Sequence, residues 1–82
     1  MNHAFYWGPV RHLTKKSNLY ERTDEANIST TGYWVTGYND PGQWWAMSGT
    51  KHLATFGTEE EAKFFCETTY NLTGAVHALP PL

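Results

Sequence analysis

From residue 32 onward the apolar positions recur first at every second residue, then at every third or fourth. That change of period marks a sheet followed by a helix. Tyr33-Trp34-Val35-Thr36-Gly37-Tyr38 is rich in strand formers, and Asn39-Asp40-Pro41-Gly42 follows as a turn. In that turn proline presets φ at one central position and glycine permits positive φ at the next. Gln43 to Ser48 returns as a second strand, Gly49-Thr50-Lys51 turns tightly, and His52 to Phe56 forms a third. The period then lengthens. Thr58-Glu59-Glu60-Glu61 is a capping box, and its three glutamates suit the positive end of a helix dipole. Ala62, Phe65, Cys66 and Thr69 lie at i, i+3, i+4 and i+7, so the spacing predicts an amphipathic helix over about residues 59–72. Glu59–Lys63 and Lys63–Glu67 add i,i+4 ion pairs, and Gly74 suits the stop.

The flanks carry weaker patterns. Ala4 to Val10 reads as a strand that Pro9 confines to an edge or an end. Ser17 to Thr31 is polar, and a short helix capped by Ser17 and an irregular loop fit it equally. Ala75 to Leu79 can return as an edge strand before Pro80-Pro81. The architecture expected is α+β: a three- to five-stranded antiparallel sheet with one long helix packed on one face, as a single domain over residues 1–82.

One helix covers one face of such a sheet, so the other face is wet, covered by the N-terminal segment, or used for binding. Alternation sorts the side chains between the two faces. Val35, Trp45, Met47 and Leu53 make the more aliphatic set, assigned beneath Ala62 and Phe65. Trp34, Tyr38, Trp44 and His52 make an aromatic set with polar handles, assigned to the other face as the candidate partner-binding site. Such residues are enriched at interface hot spots. The alternative is that Phe5-Tyr6-Trp7 folds over this face and buries it as a second small core.

Composition narrows the classes. At 82 residues, 16% of them aromatic, the chain supports one small core in which aromatics replace scarce aliphatics. The net charge of −2 gives no overall field toward nucleic acid or an anionic membrane. The charge is uneven, however: residues 1–22 carry four basic side chains against Glu21, and residues 23–82 carry two against seven acids. Cys66 is the single cysteine, so no internal disulfide forms, and no apolar run reaches the length of a membrane span. A cytoplasmic protein is the expectation.

No catalytic chemistry stands out. His3, His12, His52 and His77 lack the spacing of a zinc ligand set, and Cys66 lies on the apolar stripe of the helix, away from any base. Glu59, Glu60 and Glu61 are accounted for by capping and the helix dipole. No phosphate-binding glycine loop or nucleophile elbow occurs, so neither an enzyme, a cofactor nor a metal is expected.

Two resemblances bear on function. Phe56, Thr58, Glu61 and Ala62 match an F-x-T-x-x-E-A phrase, and the run from Gly32 to Phe65 resembles the sheet-plus-helix DNA-binding domains at the N-termini of phage integrases. That resemblance implies a sheet that contacts DNA, with Arg11, Lys15 and Lys16 supplying the cations, because the three strands offer Lys51 alone against Asp40. Small size, mild acidity, the lone cysteine and the strands-then-capped-helix plan also resemble small phage-encoded inhibitors of host machinery, anti-CRISPR proteins among them. This similarity of type implies a non-enzymatic protein that occludes a surface of a host protein complex in the host cytoplasm. It is the first reading, and the integrase-like or regulator-like nucleic-acid module is the second. An exposed edge strand near Ala75 to Leu79 would also permit a homodimer.

Overall fold

A computed structural model describes residues 4–9, 15–22, 28–37 and 42–73. Its elements are β1 (Phe5–Trp7), β2 (Lys16–Arg22), β3 (Ile28–Thr36), β4 (Trp44–Ser48), β5 (Lys51–Phe56) and α1 (Glu59–Thr73). The five strands form one antiparallel sheet in the order β1-β2-β3-β4-β5, and the helix packs across one face of it. The fold is therefore the α+β arrangement expected from the pattern. Tyr38, Arg11 and the segment Ala75–Leu79 lie outside the described residues.

The capped helix forms where its signals stand. The backbone N–H of Glu61 donates to Thr58 Oγ1 at 3.1 Å, and that hydroxyl donates to Glu61 Oε1 at 3.0 Å. Lys63 pairs with Glu59 at 2.6 Å. Ala62, Cys66 and Tyr70 are the buried residues of α1, and the two small ones allow close approach to the sheet. They join Leu19, Tyr33, Val35 and Ala46 in the core. The helix starts beside β5, where Phe56 and Phe65 lie 5.4 Å apart, and crosses toward β1. There Tyr70 meets Phe5 and Tyr33 edge-on at 5.8 and 6.3 Å.

The segment Ser17–Thr31 departs from both expectations, because β2 and the first half of β3 occupy most of it. Its inward residues are polar as well as apolar, and the polar ones are satisfied: Ser17 Oγ donates to the Gly8 carbonyl at 2.6 Å, and Thr31 Oγ1 to that of Leu19 at 2.9 Å. The β2–β3 register shifts between Asn18 and Tyr20, and Gly32, with φ +86°, takes the left-handed backbone opposite that irregularity.

Phe5-Tyr6-Trp7 does not fold over the second face. It adds to the sheet edge as β1, which turns Phe5 and Trp7 toward the helix. Trp7 Nε1 donates to Glu67 at 2.6 Å, and the Lys63 ammonium lies 5.2 Å from the Trp7 ring.

Candidate functional site: the open sheet face

Antiparallel partners point to the same face of a sheet, so the registers sort every described strand residue. Val35 pairs with Ala46, and Ala46 with Ala54, which places all three under the helix. By the same alternation Trp44 and its partner Phe56 face the helix, and both pack against the core. Trp45 pairs with Thr36 and Thr55, and Met47 with Trp34 and His52, so these residues look the other way. This reverses the sequence-based assignment of Trp44 to the binding face and of Trp45 to the core; Met47 also turns away from the helix, yet it is buried, at 8% exposed, as expected of a core residue.

The reason is strand phase. The pattern puts the more aliphatic alternate set of β4 inside, but hydrogen-bond register decides the matter and turns Trp44 inward. A signal for this existed. A two-residue loop at Pro41-Gly42 would set odd positions of one strand opposite even positions of the next, the parity that the Val35–Ala46 and Thr36–Trp45 pairs show. Under that parity Val35 shares its face with Trp44 and Ala46. Trp44 also fits closely where it is: a Cβ on Gly37 would lie 2.9 Å from its ring atoms Cε2 and Cζ2.

The open face is built of cross-strand rows. One runs Asn18–Trp34–Met47–His52 and the next runs Lys16–Thr36–Trp45–Thr55, with Tyr6–Tyr20–Thr30 in the half of the sheet nearer β1. A second irregularity, between Ala46 and Met47, leaves Leu53 outside the pairing. It brings His52 and Thr55 to one face, where His52 Nε2 and Thr55 Oγ1 are 2.9 Å apart. The His52 ring stacks on Trp45 with centroids 4.1 Å apart. Trp34 donates its Nε1–H to the Gly49 carbonyl at 2.7 Å, which pins the indole over the β4–β5 turn. The Lys16 ammonium lies 4.1 Å from the Trp34 centroid, a cation–π contact.

Of the sequence-derived site residues, Trp34 and His52 thus share the open face. Lys16, proposed for a different ligand, joins them there, and Lys15 is exposed at the entry to β2. Tyr6, Tyr20, Trp45 and Met47 are members that the pattern did not assign to this face. Among the described residues no strand or helix packs over it.

Charge divides between the two sides. The described carboxylates are Glu21, Glu59, Glu60, Glu61 and Glu67. Four belong to the helix, and Glu21 faces it, accepting a hydrogen bond from the Tyr70 hydroxyl. On the open face the described charged side chains are Lys16 and Arg22, at opposite ends of β2 and roughly 20 Å apart by strand geometry.

Cys66 lies buried on the helix side. Burial pushes the Cys66 thiol up to about 12, and the Glu67 charge acts in the same direction against a backbone hydrogen bond from Met47. No cluster of three metal-ligating side chains occurs among the described residues. None of their helices is long and apolar enough to cross a membrane. Comparisons with protein-family models, with curated proteins and with solved structures return no match to this chain.

Proposed function

We propose that this chain is a non-catalytic binding module that takes a single-stranded nucleic acid on its open sheet face. The observation that carries this reading is the charge division just described. A stackable surface holding Trp34, Trp45, His52, Tyr6 and Tyr20 shares its face with Lys16 and Arg22, while every described carboxylate lies on the other side. Bases stack on such rings at about 1–3 kcal/mol each, and cations along one strand follow the phosphates. The three strands from Tyr33 to Phe56 by themselves offer too few cations for this reading. β2, which the pattern did not reveal as a strand, adds two to the same sheet.

The test is fluorescence anisotropy of a labelled oligothymidylate of about twelve nucleotides titrated with the whole protein. Binding is expected at roughly 50 mM salt and should weaken steeply toward 200 mM. Lys16→Ala with Arg22→Ala should reduce the salt slope by about two phosphate contacts. Trp45→Ala should weaken binding with the slope unchanged. An absence of binding at low salt, together with capture of a host protein through the same residues, would instead support a phage inhibitor that occludes a protein surface.

A further inference from the structure

Beside the tryptophan rows, the open face carries a depression of about 360 Å³ bounded by Tyr6, Gly8, Pro9, Tyr20 and Ile28. Three of its lining residues come from three strands and Gly8 and Pro9 follow β1: Tyr6 and Tyr20 are cross-strand partners, and Ile28 pairs with Arg22, two residues further along β2. The two tyrosine rings lie 6.0 Å apart at 44°, an open angle rather than a stack, so the ring faces are not closed against each other. Gly8 makes room for this arrangement, since a Cβ there would sit 3.3 Å from the Tyr20 ring. The backbone N–H of Gly8 donates to Asn18 at 2.9 Å, and that of Arg22 to Ala4 at 2.8 Å, so both flanks of the depression are tied to β-sheet backbone. Tyr6 and Ile28, both lining the depression, remain 43% and 45% exposed.

We propose that this depression is a nucleobase pocket: it receives one unstacked base of the bound strand, its ring lying against Tyr6 and Tyr20 and its edge over Ile28. The inference rests on the single-strand reading above and makes it more specific. A pocket near the lower end of the usual range for small ligands takes one planar ring and excludes a base pair. Apolar walls bounded by two aromatic rings favour a planar, weakly polar group over a sugar or a phosphate. Arg22, two residues beyond Tyr20 on the same face of β2, is the described cation beside the depression. Duplex nucleic acid has no base free to enter, so the pocket selects single strands.

The experiment repeats the oligothymidylate titration with Tyr6→Ala combined with Ile28→Ala, and separately with Tyr6→Phe. Both substituted side chains are well exposed, so the sheet should persist, and helical circular dichroism verifies it. The double variant should bind roughly 5- to 160-fold more weakly, the worth of one stacked base, with an unchanged salt slope because no charge is altered. Tyr6→Phe, which keeps the ring, should bind like the parent. If the parent binds and the double variant binds equally well, the pocket assignment falls while the sheet-face reading stands. If the parent binds no single strand even at low salt, both fall.

Discussion

Trp44 and Trp45 are adjacent in sequence and opposite in environment, and their alanine variants should separate sharply in stability. Trp44 packs against the core between the sheet and α1, with Gly37 closing over its ring. A buried tryptophan removes about 200 Å² from water, worth about 5 kcal/mol at about 25 cal/mol per Å². Trp44 keeps part of its surface exposed, which lowers the loss in Trp44→Ala to about 3 kcal/mol, including the cavity left beneath the helix. Trp45 lies against His52 on the open face, where water fills the space of a truncated ring. Trp45→Ala should therefore cost about 1 kcal/mol. For a domain of this size these losses correspond to about 15–20 °C and about 5 °C in melting temperature. Thermal melts followed by the helical circular dichroism signal measure both without depending on tryptophan emission. A reciprocal perturbation strengthens the case. Gly37→Ala drives a methyl to 2.9 Å from the Trp44 ring and should cost about 1–3 kcal/mol, a penalty that should vanish in the Trp44→Ala background. Equal losses for the two tryptophans, or a larger loss for Trp45, would show that β4 has the opposite phase and would refute the assignment of the open face.

Two further outcomes test the helix and the core. Thr58→Ala removes the hydroxyl that accepts from the Glu61 N–H and should cost about 1 kcal/mol in urea melts, with Thr58→Ser recovering most of it. Stability should decline at alkaline pH. Burial raises the Cys66 thiol from 9.0 to about 12; burial, with the hydrogen bond to Glu21 and its charge, raises the Tyr70 phenol from 10.0 to about 12. Both groups hold their protons more tightly folded than unfolded, so their contribution is complete below about pH 9 and is lost as pH rises toward 12. Cys66→Ala should flatten the start of that decline in pH-dependent urea melts, and an unaltered profile would contradict the assigned burial of the thiol.

The helix was legible in the sequence because its determinants are local. Thr58, Glu61 and the Ala62–Phe65–Cys66–Thr69 spacing act within one or two turns, and α1 begins and ends close to where they predict. The β4–β5 hairpin was legible for a similar reason: Gly49, with φ +60°, opens a two-residue loop between the paired Ser48 and Lys51. β2 was hidden because a strand's hydrogen bonds go to its neighbours. Lys16-Ser17-Asn18-Leu19-Tyr20-Glu21-Arg22 has one strongly apolar inward residue, Leu19, and becomes a strand by pairing with both β1 and β3. With β2 unseen, Lys16 and Arg22 had no place on the sheet, and the cationic character of the open face was invisible.

The chain by itself determined an α+β fold, a capped helix of known span and a high aromatic content. It did not determine which aromatics line which surface. That choice rests on inter-strand register, a relation between residues distant in sequence. A shift of one residue exchanges the two faces at no cost to local propensity. Tertiary structure settled it by setting Trp44 beneath the helix beside Gly37 and leaving Trp45, Met47 and Trp34 together on the far side with Lys16. It also drew Phe5 and Trp7 toward Tyr70 and Glu67, where burying rings against the helix and bonding the indole N–H outweigh covering the open face.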